Sequence, residues 1–195
     1  MNERSFKADI MDKRERIFQA TQELLAEKGF HGLSMSMVAK QAAVATGTIY
    51  RYFSDKDDLL RQLHRHVHIQ ALAIILADHD PTQPPFEQYR RLWLNAFRVL
   101  SEDPDALRCK AQYEASPNYP EIELDVWDLW QPILDFFEQG RVTGLFIDLP
   151  PRLLSALSLD SVVHIAQLAR LQVSALDEQQ IDTIILASWR AILVP

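Results

Sequence analysis

The feature that most constrains the fold of this chain is the spacing of apolar residues in its first third. Between positions 17 and 25 they recur at intervals of three and four residues, which is the period of a helix with one buried face. The alternation typical of strands is absent, and only 5 of the 195 residues are glycine. The pattern predicts an all-α fold. The residues that define this first helix, expected to begin at Asp12, are Ile17, Ala20, Thr21, Leu24 and Leu25.

Three short helices are predicted in this region. Gly29 is expected to end the first, because glycine readily adopts the left-handed conformation of a helix C-terminus. Ser34 is a favourable N-cap for the second helix, and a tight turn leads into a third helix over 46–53. Ile49 and Phe53, four residues apart, are expected to face the core. Three short helices with a tight turn before the third form a helix-turn-helix arrangement.

The segment Thr46–Leu60, TGTIYRYFSDKDDLL, has an unusual composition for a surface helix. Short hydroxyl side chains, two phenols and a guanidinium lie within two helical turns, a set that suits contact with a phosphate backbone and a DNA groove. Ser54, with Asp57 three residues on, is expected to start a fourth helix through a capping box. The segment is thus predicted to contain a DNA-contacting helix and the start of a longer helix that leads to the rest of the chain.

A break at residues 78–85, DHDPTQPP, separates this region from a second helical region. Asp103-Pro104 and Asp177-Glu178 are helix start signals, and Pro132 is expected to kink the helix that contains it. The expected helices span 85–100, 104–115, 120–140, 151–174 and 178–193. The predicted domains are a flexible N-terminal arm (1–11), the helix-turn-helix DNA-binding domain (12–55), a linking helix (56–77) and a helical ligand-binding and dimerisation domain (78–195).

The last two expected helices, 151–174 and 178–193, have apolar side chains on more than one face. A helix that is apolar on two faces needs cover on both, and too few helices remain in the chain to supply it. The pattern therefore predicts a homodimer in which these helices of two subunits pack as a four-helix bundle. The residues expected at that interface are Leu157, Val162, Ile165, Ala169, Ile181, Ile185 and Trp189.

Composition and charge distribution limit the class of protein. A single cysteine rules out an internal disulfide framework, and the apolar runs fit neither a membrane span nor a secretory signal. A cytoplasmic protein without a membrane partner is expected. The net charge is −7, but residues 1–66 carry 11 Lys and Arg against 9 Asp and Glu, whereas residues 67–195 carry 9 against 18. This asymmetry favours one surface near the N-terminus for binding a polyanion.

Residues 13–63 resemble the TetR (tetracycline-repressor-like) family of bacterial transcriptional regulators. The resemblance rests on EKGFHGLS at the end of the first helix and on MVAKQAAVATGTIYRYFSDKDDLL after it, and it covers the first quarter to third of the chain. Ala43 departs from the family pattern, which usually has glycine there, and Ala45 stands where a Ser or Thr cap is usual. The residues at the family's characteristic spacing are Gly47, Tyr50, Tyr52, Phe53, Lys56 and Leu59.

The resemblance implies a set of contacts with double-stranded operator DNA. Thr46, Gly47 and Arg51 correspond to groove contacts, with base and phosphate both open as the partner of Thr46 and of Arg51. Glycine at position 47 would let the backbone approach the bases closely. The alternative for Tyr50 and Tyr52 is a place in a core or interface. The positions implied as phosphate contacts are Thr48, Tyr50, Tyr52 and Lys56, and those implied to touch the flanking backbone are Ser34 and Met35.

The resemblance also implies an effector. Regulators of this family usually release DNA when a small molecule binds inside the C-terminal domain. Aromatic or polar residues among apolar neighbours are the candidates to contact that molecule, and ordinary core packing is the alternative for each. These residues are Trp93, Phe97, Cys109, Tyr113, Trp127, Trp130, His164 and Gln167.

No catalytic motif is present in the sequence: neither a nucleophile elbow, a phosphate-binding glycine loop nor paired carboxylates. His64 and His68, four residues apart, have no third ligand nearby in the sequence, and Cys109 has no second cysteine. No metal, cofactor or redox switch is therefore expected. The predicted function is a DNA-binding transcriptional repressor that its effector releases from a palindromic operator. The alternatives left open are a DNA-binding regulator controlled by a protein partner and a small helical enzyme.

Overall fold

The computed structural model describes the backbone of residues 3–102, 106–115, 119–171 and 176–195. Within these ranges the chain forms α-helices, one short 3₁₀-helix and one isolated β-bridge. The predicted all-α class is confirmed. The expected start signal Asp103-Pro104 lies outside the described residues.

The described helices follow one another along the whole chain. None of them is both long enough and apolar enough to cross a membrane. They are α1 (Glu3–Gly32), α2 (Met35–Gln41), α3 (Thr46–Ile49), α4 (Lys56–Ile75), α5 (Pro85–Glu102), α6 (Ala106–Glu114), α7 (Tyr119–Leu124), the 3₁₀-helix (Trp127–Trp130), α8 (Gln131–Val142), α9 (Pro151–Leu157), α10 (Ser161–Arg170) and α11 (Glu178–Arg190).

The chain divides into two compact units. The first unit comprises Met1–Val67 and Arg108–Asp125, and the second comprises His68–Leu107 and Val126–Pro195. The predicted helix-turn-helix region falls in the first unit. The predicted ligand-binding domain, 78–195, is not a single unit, because residues 108–125 pack with the first.

The core of the first unit is built around α1. Ile17 and Leu25 are fully buried, and they share one apolar cluster with Val38 of α2 and Leu59 of α4. Gly29 interrupts α1 with a φ of 66°, which confirms the helix end expected there. At its other end α1 begins at Glu3, so the predicted flexible arm is helical from that residue on. The arm is rich in Glu, Lys, Arg, Met and Ala, which favour helix.

The core of the second unit is aromatic. Tyr89 and Trp93 of α5 are fully buried, and the ring of Trp189 in α11 lies 5.2 Å from those of both Tyr89 and Phe146. Phe146 also forms a bridge with Leu193, so the C-terminal residues close over this cluster. The unit therefore has its own apolar interior.

Two predicted helices and one predicted kink in the second half of the chain are different in the structure. The helix expected over 120–140 is divided into α7, the 3₁₀-helix and α8. Pro132 lies in the first turn of α8, where its missing N–H costs no hydrogen bond, so the predicted kink is wrong. The helix expected over 151–174 is divided into α9 and α10, and the Ser158 hydroxyl donates to the Leu154 carbonyl where α9 ends.

The helix starts are partly as expected. Asp177 caps α11 in a full capping box with Gln180, which confirms that start signal. α4 begins at Lys56, two residues after the predicted cap. Its first turn is capped by Asp55, whose Oδ1 accepts from the N–H of Asp58 at 2.8 Å. An aspartate adjacent to the predicted serine thus performs the same function.

Candidate DNA-binding interface

α2 ends in a turn with a defined set of hydrogen bonds. Ala43 has a φ of 52°, in the left-handed region. The N–H of Val44 donates to the carbonyl of Ala39 at 3.0 Å, and the N–H of Ala43 donates to that of Lys40 at 3.3 Å. This is the Schellman pattern of a helix C-terminus, where glycine is the usual residue at the position of Ala43. Only Val44 lies between it and Ala45, the N-cap of α3, so the turn is tight.

α3 is a single helical turn that two apolar residues fix to the first unit. Ile49 and Phe53 are almost completely buried, and the ring of Phe53 lies 5.5 Å from that of Phe18. The N–H of Phe53 donates to the carbonyl of Ile49 at 3.0 Å, which extends the turn beyond the last residue of α3. The two positions expected to face the core are confirmed.

The other side chains of this segment are open to solvent. Tyr50 is 54% exposed, and Thr46, Gly47 and Arg51 are exposed as well. A Cβ placed on Gly47 would meet no described atom within 4 Å, so the backbone there can approach another molecule closely. Hydroxyl, phenol and guanidinium groups donate hydrogen bonds to phosphate oxygens and base edges. The exposed set therefore has the chemistry of a DNA contact surface.

Four of the other predicted contacts are less open. Thr48 and Tyr52 are partly buried. The side chain of Met35 is 8% exposed and belongs to the apolar cluster, so it is not available to DNA. The Nζ of Lys56 donates to the carbonyl of Phe30 at 3.2 Å. An ammonium has three protons, so Lys56 retains donors for a phosphate.

Ser36 and Lys40 are exposed polar residues of α2 that were not among the predicted contacts. Ser36 and Lys40 lie four residues apart, whereas Val38 between them is buried. Ser34 has the expected capping role, since its Oγ accepts from the N–H of Met37 at 3.4 Å. It also lies 3.1 Å from the Oγ of Ser36. The spacing of the two polar residues on one face was the available sequence signal.

Two of the predicted effector residues lie in the core of the first unit. The hydroxyl of Tyr113 donates to the carbonyl of Leu60 at 2.9 Å, and its ring packs edge-on against that of Phe30. Burial raises the pKa of the Tyr113 phenol, which keeps it protonated as a donor. The thiol of Cys109 donates to the carbonyl of Gln22 at 3.5 Å. For these two residues the structure shows core packing.

The other six predicted effector residues are in the second unit, in different environments. The rings of Trp93 and Phe97 stack at 5.4 Å in the interior. Trp127 is 41% exposed, and the guanidinium of Arg152 lies 3.8 Å from its ring centroid. His164 is exposed, and Trp130 and Gln167 are partly buried. These six residues therefore do not share one buried environment.

A cleft of 200 Å³ lies in the first unit. It is bounded by three carboxylates, one guanidinium and three apolar side chains, and none of the eight predicted effector residues lines it. The residues around it are Phe30, Asp57, Leu60, Arg61, Glu121, Ile122 and Asp125.

The two histidines considered as metal ligands differ in their surroundings. His64 is 5% exposed, and its Nε2 lies 4.0 Å from an oxygen of Glu123. Burial, with the nearby charge of Lys110, lowers the pKa of the His64 imidazole to about 4, so it is neutral at pH 7. His68 accepts a hydrogen bond from Trp130 at its Nδ1, over 3.0 Å. The Nδ1 lone pair of His68 is thus engaged by the indole N–H of Trp130.

The residues predicted for a dimer interface fall into two groups. Val162, Ile185 and Trp189 are buried in the core of the second unit, so their side chains are not available to a partner chain. Their burial explains why the last helices are apolar on more than one face. Leu157 is 51% exposed, and Ile165, Ala169 and Ile181 are partly exposed. The other exposed leucines on α9, α10 and α11 or next to them are Leu153, Leu171 and Leu186.

Two family models match the chain. Residues 17–63 match a model described as bacterial regulatory proteins, tetR family. Residues 84–193 match a model described as the tetracyclin repressor-like C-terminal domain. The second match alone covers more than half of the chain. The first contains every residue that was predicted to contact DNA.

Similar proteins align over almost the full length. A Haemophilus influenzae protein named as an uncharacterized HTH-type transcriptional regulator is 39% identical over 185 residues, which are 93% of this chain and 96% of that protein. A solved TetR-family regulator from the same species is 38% identical, with a TM-score of 0.82, and the match covers 95% of this chain and 99% of that one. A solved TetR-family regulator from Vibrio parahaemolyticus is 32% identical, with a TM-score of 0.84 over 94% and 100% of the two chains.

Proposed function

The chain belongs to the TetR family of bacterial regulatory proteins, and on that premise we propose that it is a repressor that binds a near-palindromic operator as a homodimer. We propose further that a small molecule bound in the second unit releases it from DNA. Its relatives and both family models are those of transcriptional regulators, so the chain is a regulator of transcription and not an enzyme. We expect it in the cytoplasm, where a bacterial operator is found.

The proposal of operator binding rests on the segment Thr46–Arg51, in which exposed polar side chains flank the buried side chain of Ile49. Ile49 fixes α3 in the core, and the hydroxyls, phenol and guanidinium around it are left for DNA. Tyr50 and Lys56 are proposed to contact phosphates, and Thr46, Gly47 and Arg51 to enter the groove. Exposed Ser36 and Lys40 extend this set to the flanking backbone. Phosphate contacts supply affinity and groove contacts supply sequence preference.

A homodimer is supported by the exposed leucines near the chain's C-terminal end. Leu157 and Leu171 are exposed by half or more, and Leu186 by about a third. A two-fold dimer would cover such side chains and present two copies of α3 to successive major grooves, about 34–36 Å apart. The proposed interface consists of the exposed leucines with partly exposed Ile165, Ala169 and Ile181. Leu157→Glu is expected to shift the sedimentation coefficient towards that of a monomer and to weaken operator binding.

An effector site in the second unit is supported by polar groups inside its apolar core. The hydroxyl of Tyr89 donates to the Oγ of Ser188 at 2.8 Å, and both residues are buried. Burial raises the pKa of Tyr89 to about 12, so it remains a neutral donor. Small-molecule sites are mostly apolar with a few polar groups that orient the ligand. The chain also passes from the second unit into the first at residue 108 and returns at 126, which offers a covalent route for the signal.

The first experiment selects bound fragments from random DNA and defines the operator by footprinting. Tyr50→Ala and Lys56→Ala are then expected to weaken binding to all sequences and to flatten the salt dependence, because each removes a phosphate contact. Arg51→Ala is expected to weaken binding to the selected operator more than tenfold.

Arg98→Ala is the matched control. Arg98 is an exposed arginine of the second unit, so its loss changes the net charge by the same amount without touching the proposed interface. Its affinity should equal that of the wild type. Failure to enrich any sequence, or equal effects of Arg51→Ala and Arg98→Ala, would overturn the proposed interface.

A thermal-shift screen of metabolites and toxic compounds tests the effector. A ligand at 100 times its Kd stabilises a protein by about 2.7 kcal/mol, and the same compound should dissociate the operator complex. A ligand releases DNA only if it binds the DNA-free state more tightly than the DNA-bound state. Release by a protein, with no response to any small molecule, would identify the partner-controlled regulator instead.

A further inference from the structure

We propose that Ala43 and Ala45 leave the N-terminal end of α3 only partly ordered in the free protein, so that operator binding completes its folding and these two residues set the affinity. The inference rests on the proposed operator binding. It concerns the tight turn between α2 and α3 and the first two residues of α3, Thr46 and Gly47.

Ala43 is the first reason. Four described residues have a positive φ: Gly29, Gly144, Asp78 and Ala43. Glycine has no Cβ to clash in this region, and aspartate tolerates it through local hydrogen bonds. Alanine has neither property. Its Cβ reduces the population of the left-handed conformation by roughly five- to thirtyfold per residue, although the hydrogen bonds of the Schellman turn are complete.

Ala45 is the second reason. Three other helices begin with a side chain that accepts from a free backbone N–H: Ser34 for α2, Asp55 for α4 and Asp177 for α11. Ala45 has the extended backbone of an N-cap, with φ −67° and ψ 143°, but the structure shows no side-chain hydrogen bond there. The first N–H groups of α3 therefore lack the side-chain partner that α2, α4 and α11 have. α8, α9 and α10 also begin without one, but among the described helices only α3 also follows an alanine in the left-handed conformation.

The C-terminal end of α3 is fixed in the core, so the partial order is confined to its N-terminal end. Ile49 and Phe53 are buried in the core, so the C-terminal end of α3 stays in place. A helix of four residues is too short to be stable without such support. The residues left to fray are those between Ala43 and Thr48, and they include the proposed groove contacts Thr46 and Gly47.

The consequence for affinity is quantitative. When only a fraction of the free protein has the binding-competent form, the apparent Kd exceeds the intrinsic Kd by the inverse of that fraction. A substitution that favours the ordered turn lowers the apparent Kd until that fraction reaches one. It adds no phosphate contact, so the slope of log affinity against log salt stays unchanged.

The experiment restores the missing features one at a time. Ala43→Gly removes the Cβ from the left-handed position, and Ala45→Ser supplies a capping oxygen. Each is expected to lower the operator Kd by about three- to tenfold, with an unchanged salt slope. The double variant should gain less than the product of the two, because the ordered fraction saturates. Hydrogen exchange of the amides of residues 46–48 should slow in the free variants and be equal in all DNA complexes.

Two control variants make the same chemical changes elsewhere. Ala73→Gly and Ala111→Ser alter exposed helical alanines of α4 and α6 and should not tighten binding. Unchanged Kd in Ala43→Gly and Ala45→Ser, with amides 46–48 equally protected in the free and bound wild type, would overturn the inference. Failure of the wild type to select DNA would overturn the proposed function, while exchange in the free protein would still decide whether the turn is partly ordered.

Discussion

Gly47 in α3 and Gly140 in α8 are both helical glycines, but their surroundings are opposite. A Cβ placed on Gly140 would overlap the ring of Phe146, whereas a Cβ on Gly47 would meet no described atom within 4 Å. Glycine inside a helix is less stable than alanine. At Gly140, packing against Phe146 in the second unit requires glycine despite this loss of stability. At Gly47, no described atom requires glycine. An open backbone there fits a surface that an outside partner approaches.

The region around Gly140 is densely packed, whereas the region around Gly47 is exposed. The rings of Phe136, Phe137, Phe146 and Trp189 lie 5.2 to 6.0 Å apart in successive pairs. The chain end closes over them, since the N–H of Ile147 donates to the carbonyl of Ile192 at 2.9 Å. Around Gly47, the side chains of Thr46, Tyr50 and Arg51 are exposed, and α3 has no side-chain cap. Internal packing specifies the second unit, whereas the residues around Gly47 in the first unit remain exposed and accessible to the proposed operator.

Gly140→Ala is expected to have the largest effect on stability. The added methyl has no space beside Phe146, and overpacking of a dense core costs about 3 kcal/mol or more when a ring has to move. Urea unfolding followed by tryptophan fluorescence measures this loss in the second unit, because all four tryptophans belong to it.

A double variant separates overlap from other causes. Phe146→Leu removes part of the ring and should itself be destabilising, but Gly140→Ala should cost less in that background than in the wild type. Additive losses of stability would show that a methyl at position 140 does not overlap the Phe146 ring. Close packing would then not be the reason for glycine at position 140.

Local sequence signals predicted much of the first unit. Helical spacing identified α1, and the separation of Ile49 from Phe53 identified the buried side of α3. In the second unit the helix start at Asp177-Glu178 was also found, because its signal lies in two adjacent residues. The position of residues 108–125 had no such signal. Tyr113 donates to the carbonyl of Leu60, 53 residues earlier, and a hydrogen bond over that distance is set by the tertiary fold.

The effector and dimer residues were selected by residue type, and burial then divided them. Trp189 and Ile185 are apolar because they fill the core of the second unit, not because a partner covers them. A single sequence gives the apolar pattern of a helix but not which of two apolar faces is covered within the chain. Exposure distinguishes Leu157 from Ile185.

His64 provides the next largest effect, in the core of the first unit. Its folded-state pKa of about 4 lies below the ordinary value of 6.5. Between these values the unfolded chain binds a proton that the folded chain does not, so the free energy of unfolding falls as pH falls from about 6.5 to about 4. The loss attributable to His64 is expected to be roughly 1–3 kcal/mol. The charged groups near its ring are Lys110, Glu123 and Asp125.

His64→Gln tests this effect against a surface control. The difference in unfolding free energy between pH 7 and pH 4.5 should shrink in His64→Gln and stay unchanged in His31→Gln, because His31 is exposed. Amides of residues 56–67 in α4 should lose protection at low pH before tryptophan fluorescence changes. Equal pH dependence in both variants would show that the first unit does not depend on a neutral His64.

Two buried tyrosines give a matched pair, one in each unit. Tyr113→Phe removes the bond to the Leu60 carbonyl, and Tyr89→Phe removes the bond to Ser188. Each loss is expected to cost about 1 kcal/mol, the usual net value of a buried hydrogen bond. Hydrogen exchange should localise the first loss to α4 and the second to α5 and α11. If Tyr113→Phe changed exchange in α5 and left α4 unaffected, residues 108–125 would have to be reassigned to the second unit.

Gly47→Ala is expected to have the smallest effect on stability and the opposite sign. Alanine is the better helix former, and its methyl has open space at this position, so the free energy of unfolding should stay the same or rise by up to about 1 kcal/mol. Operator affinity should nevertheless fall, because the methyl would occupy the space through which the backbone approaches the bases. This outcome also differs from that of Ala43→Gly and Ala45→Ser, which order the same turn without adding bulk to the surface that faces DNA. Urea titration and gel shifts on the same preparation measure both quantities. Unchanged affinity would mean that DNA does not approach the backbone at Gly47, and the contrast with Gly140 would then concern packing alone.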